Sequence, residues 1–139
     1  MNHYMRTLAL AIWWCEGTKP RKDKRWKNSY LYPIEVTNCD PKLIKIFSNF
    51  LKEVIKIPNS KLKGQLQIHE GDNKQEIENY WSNEIGIPLS QFNKTIIRKI
   101  GNKPGKNYGT FKLRTYGKDL YNKLKNQLEE TLLKAENGE

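Results

Sequence analysis

The 139-residue chain carries 25 Lys and Arg against 15 Asp and Glu, a formal net charge of +10. That length holds one domain (1–139) with a real core and not comfortably two. So large a cationic excess points to a polyanionic partner, nucleic acid first and an anionic membrane surface second.

The chain opens on polar residues, and the apolar run behind Thr7 leads into a carboxylate rather than a small-residue cleavage site. No signal peptide is expected, and the protein is expected in the cytoplasm. The run itself is Leu8-Ala9-Leu10-Ala11-Ile12-Trp13-Trp14-Cys15-Glu16-Gly17. Apolar on every side, it predicts a helix wrapped by protein all round, and it falls short of the roughly 20 apolar residues that a bilayer span needs. Ala9 and Ala11 leave room for a second helix, from this chain or a twin. Glu16 emerges at the foot of the helix, and Gly17 ends it.

Cys15 and Cys39 lie far apart and belong to no Cys-x-x-Cys pair, so both are expected as reduced thiols, with Cys15 buried in the helix. His3 and His69 lack partners at metal-ligand spacing and read as ordinary surface histidines.

Next comes a dense basic segment, Thr18 to Asn28, with Lys19, Arg21, Lys22, Lys24, Arg25, Trp26 and Lys27 interrupted by Asp23. It is either a solvated loop or a strand and loop lying on phosphate, with Trp26 free to stack or wedge. From Tyr30 to Thr37 the pattern alternates, with Tyr32, Ile34 and Val36 on one face and Pro33, Glu35 and Thr37 on the other. Pro33 places this strand at an edge, or itself early in the strand. Asp40-Pro41 reads as a helix cap and first helical residue. The helix behind it carries Leu43, Phe47, Phe50 and Val54 as its stripe, flanked by Ile44, Leu51 and Ile55.

Leu62, Gly64, Leu66 and Ile68 then alternate with Lys63, Gln65, Gln67 and His69. An outward row of Lys, Gln, Gln and His has the donors and acceptors that read base edges, and it equally suits a plain solvated face. Asp72 to Gln75 caps a further helix with Ile77, Tyr80, Trp81 and Ile85 as its stripe and Gly86 as its stop. Phe92 to Ile100 looks extended and carries Lys94, Arg98 and Lys99. A turn-rich link, 101–106, predicts a hairpin with the strand that sets Phe111 and Leu113 against Lys112 and Arg114. Leu120, Tyr121, Leu124, Leu128 and Leu132 mark a last helix from near Lys118, with Ala135 to Glu139 fraying.

Ala9 to Gly17 resembles the LAGLIDADG motif of homing endonucleases and related DNA-binding proteins. Ala11 falls at the small helix-contact position, Glu16 at the final acid and Gly17 at the closing glycine; Trp13 and Trp14 replace an aliphatic residue and an acid. The resemblance implies an α+β half-domain of αββαββα type with one extra helix, its mixed or antiparallel saddle sheet packed against helices. The motif occurs once, so it further implies a homodimer through the Leu8–Glu16 helix, with double-stranded DNA as partner and Mg²⁺ or another divalent cation at Glu16. The assisting lysine of the family comes from a central strand, and Lys94 or Lys99 is the expected counterpart. The DNA contacts are expected from the basic segment and from Lys63, Gln65, Gln67, His69, Arg98, Lys112 and Arg114. A metal-dependent DNA endonuclease is therefore the first expectation. A DNA-binding regulator that has lost cutting is the second, since bulky rings in the motif could splay the two acids. An RNA-binding or splicing role is the third.

Overall fold

The computed structural model describes residues 3–22, 25, 30–99 and 108–139. The alternation around Leu66 dictates its centre. Strand β4 (Lys63–His69) turns Gly64, Leu66 and Ile68 into the core and leaves the residues between them exposed or half-buried. In chain order it follows α1 (His3–Glu16), β1 (Arg21–Lys22), β2 (Tyr30–Leu31), β3 (Pro33–Asn38) and α2 (Pro41–Glu53). After it come α3 (Lys74–Ile85), β5 (Ile96–Arg98), β6 (Thr110–Tyr116) and α4 (Lys118–Glu136). The class is α+β, with a four-stranded mixed sheet in the order β3-β6-β4-β5 and helices against one face.

The expected hairpin between the stretch after Phe92 and the strand at Phe111 does not form. β6 inserts antiparallel between β3 and β4, while β5 runs parallel along the other edge of β4, pairing Gln67 with Ile96 and His69 with Arg98. Packing explains the choice. The ring of Phe111 occupies the space left by the missing side chain of Gly64, where even a Cβ would collide with it. Trp81 from α3 stacks on the same ring at 4.9 Å and 10°, and Phe92 meets it edge-on at 5.5 Å. Asn93 N donates to Gly64 O at 2.7 Å, which ties the approach to β5 onto β4. The expected turn at 101–106 lies outside the described residues.

The helix starts follow their caps. Asp40 accepts from Lys42 N at 2.9 Å with Pro41 as the first helical residue, as its sequence predicts. α3 starts one residue later than expected. Asn73 Oδ1 caps Glu76 N at 3.1 Å, and the Asp72 carboxylate accepts instead from His69 N, closing the turn out of β4. Gly86 ends α3 in the left-handed region at φ 76°. Lys52 reaches across from α2 to donate its Nζ to Ile85 O at 3.3 Å. Burial holds its ammonium below the usual lysine pKa, against a smaller opposing pull from Glu53.

The stripe of α2 is turned slightly from the expected one. Ile44, Phe47, Phe50 and Leu51 are buried while Leu43 and Val54 are only half-buried, because α2 packs against α1 and α3 as well as the sheet. α4 buries Tyr121, Leu124 and Leu128 and stays helical to Glu136, beyond the expected fraying point.

Candidate nucleic-acid interface

The sheet has one sealed face and one open face. On the sealed face Ile34, Val36, Leu66, Phe111 and Leu113 are fully buried under the helices. On the open face, strand register fixes which side chains stand side by side, since directly opposed residues share a face. Glu35, Arg114 and Lys63 form one row across β3, β6 and β4. Thr37, Lys112 and Gln65 form the next, followed by Thr110 with Gln67 and Ile96, and by His69 with Arg98. The sequence-predicted readers on β4, β5 and β6 therefore fall on one surface. Among the described residues this face holds a depression of about 30 Å³, lined by Thr37, Gln65, Leu66, Gln67, Ile96, Thr110 and Lys112. That is far below the roughly 300 Å³ at which small-molecule sites begin. A larger hollow of about 280 Å³ lies away from the sheet, between the start of α1 and the end of α4, and mixes His3, Arg6 and Lys134 with Glu130 and Glu139.

Not every expected reader is equally available. Gln65 spends its amide on Lys94 O at 2.9 Å, which fixes the chain entering β5. Arg114, expected to point freely outward, gives Nε to Glu35 Oε1 at 2.9 Å and lies 5.6 Å from the Tyr116 ring centroid. Glu35 is only 4% exposed and accepts a second bond from Thr18 Oγ1 at 3.2 Å. Alternation puts Glu35 on the outer face, but nothing in the local pattern shows that Thr18 and Arg114 cover it. Lys94 and Lys99 are exposed but flank β5, an edge strand. The expectation of a central-strand lysine is therefore not met by them; the lysines of the two central strands are Lys63 and Lys112.

α1 departs most from its expectation. Only Ala9, Leu10 and Trp13 are buried, with Trp13 packed edge-on against Tyr121 at 5.5 Å. Leu8 is 51% exposed and Trp14 53%, and Tyr4, Ala11 and Cys15 are exposed too, so Cys15 is not in the core. Tyr4, Leu8, Ala11 and Cys15 are spaced three or four apart and line one side of the helix. One chain therefore leaves an apolar stripe open where complete wrapping was expected.

The foot of α1 meets the sheet. Gly17 bridges Val36, Thr18 N donates to Glu35 O at 3.2 Å, and Arg21 and Lys22 pair with Leu31 and Tyr30. Gly17 is required by space, because a Cβ there would overlap the carbonyl and indole of Trp13. Glu16 is thereby delivered, exposed, to the sheet edge at β3. Lys19 and Arg25 are exposed along this hairpin. Lys24, Trp26 and Lys27 lie outside the described residues.

Among the described residues no three His, Cys, Asp or Glu side chains come together as a metal-binding group. None of their helices is long and apolar enough to cross a membrane. Comparison with protein-family models, with curated proteins and with solved structures finds no match to this chain.

Proposed function

We propose that the chain is one half of a homodimeric, Mg²⁺-dependent DNA endonuclease of the LAGLIDADG type, its half-domain departing from the αββαββα order by the extra helix α3 and by three strands rather than two on each side of α2. The supporting observation is the open sheet face, which Lys63, Gln67, His69, Arg98 and Lys112 share, with Glu16 ending α1 where Gly17 bridges the outer edge of β3. Strands can enter a major groove, in which each base pair presents a distinct set of donors and acceptors. Lys63 and Lys112 take phosphate oxygens or guanine; Gln67 and His69 reach base edges. Lys19 and Arg25, exposed along the basic hairpin, hold the backbone at the flank.

The stripe of Tyr4, Leu8, Ala11 and Cys15 is the surface on which a second copy packs, and it includes the small helix-contact position of the motif at Ala11. Two such copies bring two Glu16 residues into one dimer. A carboxylate is a hard oxygen donor of the kind that Mg²⁺ takes, with phosphates and waters completing the set. Held at Glu16, such an ion would acidify a bound water and offset charge on the leaving oxygen. A single carboxylate per chain makes the acid indispensable. Glu16→Gln is expected to lower cutting of supercoiled DNA in Mg²⁺ by roughly 100-fold or more, the scale of losing one group that stabilises transition-state charge. Binding to the same DNA should persist. A Glu16→Gln protein that cuts as fast as its parent removes the catalytic assignment.

One observation favours a second reading. Trp14, where the family motif carries an acid, is half-exposed beside Glu16 at the foot of α1, and such bulk at a helix pair works against drawing the two acids together. A regulator of this kind would shift specific duplexes and leave supercoiled DNA without nicks.

A further inference from the structure

Glu35 is out of place on the open face. Among the described strand positions there it is the only acid, set among Lys63, His69, Arg98, Lys112 and Arg114. A carboxylate at that position repels phosphate, and a buried ion pair contributes little net stability once desolvation is counted. Yet its side chain is 5% exposed, and both of its oxygens are used: Oε1 by Arg114 Nε at 2.9 Å and Oε2 by Thr18 Oγ1 at 3.2 Å. The arginine side of the pair is 22% exposed. Its bond to Glu35 goes through Nε, so the two terminal nitrogens are not spent on it. The ring of Tyr116, two residues along the same strand and itself 47% exposed, bounds the guanidinium on another side at 5.6 Å.

From this arrangement, and resting on the DNA-binding reading above, we infer that Glu35 is a positioning residue that aims Arg114 at a guanine in the major groove. An arginine reads guanine through two parallel bonds to O6 and N7, a contact that needs the plane of the guanidinium to be fixed. A free arginine on a sheet loses that geometry to rotamer entropy, and it falls on phosphate as readily as on a base. Glu35 and Tyr116 hold the plane. The negative charge of Glu35 also cancels part of the pull of Arg114 toward phosphate, so affinity for any duplex is exchanged for preference among duplexes.

The test compares wild type, Glu35→Gln and Arg114→Lys on a randomised duplex library and on one unrelated duplex, at fixed salt, with thermal melts alongside. Wild type is expected to select a G·C pair at one position of each half-site. Arg114→Lys keeps the charge and loses the fork, so that preference should fall roughly 5- to 100-fold, well beyond any loss of binding to the unrelated duplex. Glu35→Gln removes a negative charge, so it should tighten binding to the unrelated duplex while relaxing the same position. Opposite movements of this kind are not produced by a merely structural role, which would shift both duplexes together. If Glu35→Gln fails to fold in the melts, Arg114→Lys carries the decision by itself. An Arg114→Lys protein that keeps the wild-type preference at every position overturns the inference and leaves the DNA-binding reading standing. A wild type with no preference for any sequence removes both.

Discussion

The molecule leaves two surfaces open, and they differ in kind. The outer face of the sheet is a ladder of Lys, Gln, His, Thr and Arg in fixed register, with Glu35 and Ile96 among them. The outer side of α1 is Tyr4, Leu8, Ala11, Trp14 and Cys15, without a charge. Each lies opposite a sealed counterpart: Leu66, Phe111 and Leu113 behind the ladder, and Ala9, Leu10 and Trp13 behind the stripe. The difference teaches what each surface can recognise. Apolar side chains gain by leaving water and have no directional demand, so the stripe suits another protein surface. Charged and amide groups would lose their hydration against such a surface, but they exchange it favourably for phosphate oxygens and base edges. The two surfaces meet at Gly17, where the foot of α1 passes into the sheet edge.

A charge placed in the stripe should break this division most severely. Leu8→Glu adds a carboxylate to the surface proposed to pair two copies, and the expected outcome is a halved mass in sedimentation at micromolar concentration. Affinity for a two-half-site duplex should fall with it, by roughly 100-fold or more as the second half-site contact is lost. The melting temperature of the monomer should hardly move, because Leu8 is already 51% exposed in one chain. Leu8→Glu protein that keeps its dimer mass places the partner surface elsewhere.

Gly64→Ala tests the sealed side of the ladder. The added methyl enters the space of the Phe111 ring, which Trp81 and Phe92 prevent from retreating. A cost of about 1–3 kcal/mol is expected for such overpacking, read as a melting point lower by roughly 3–12 °C. Below the transition, DNA affinity and dimer mass should stay at the wild-type value, since neither open surface is touched. A change in sequence preference without loss of stability would mean that the two faces of the sheet are not independent.

Much of the ladder is legible in the amino-acid sequence, and little of the stripe is. The alternation from Leu62 to His69 separates the two faces of β4 by itself, and Asp40-Pro41 fixes the start of α2, because both signals depend on neighbours in sequence. The partner of β5 depends on distant ones. Chain proximity favours a hairpin with β6, but Phe111 needs Gly64 beneath it and Trp81 above it, and those contacts put β6 on the other side of β4. The covering of Glu35 is hidden for the same reason, since it comes from Thr18 and Arg114, 17 and 79 residues away. For α1 the apolar run predicts the helix correctly, but an all-apolar pattern contains no record of which side this chain covers.

The smallest expected effect is on the ladder itself and is electrostatic. Lys112 stands in the middle strand of the three that carry Thr37, Lys112 and Gln65, half-buried at the rim of the shallow depression. Lys112→Ala removes one cation that displaces counterions from duplex DNA. The slope of log affinity against log salt should become shallower by about 1 for each chain's Lys112 that contacts phosphate. Stability should change by no more than about 0.5 kcal/mol, as for other surface substitutions. The same substitution at Lys94, which flanks the edge strand β5, serves as the contrast. If the ladder is the binding surface, Lys112→Ala weakens binding more than Lys94→Ala does at every salt concentration. Equal losses would mean that the charge of the chain acts as a diffuse cloud, and that the register of the sheet confers no recognition.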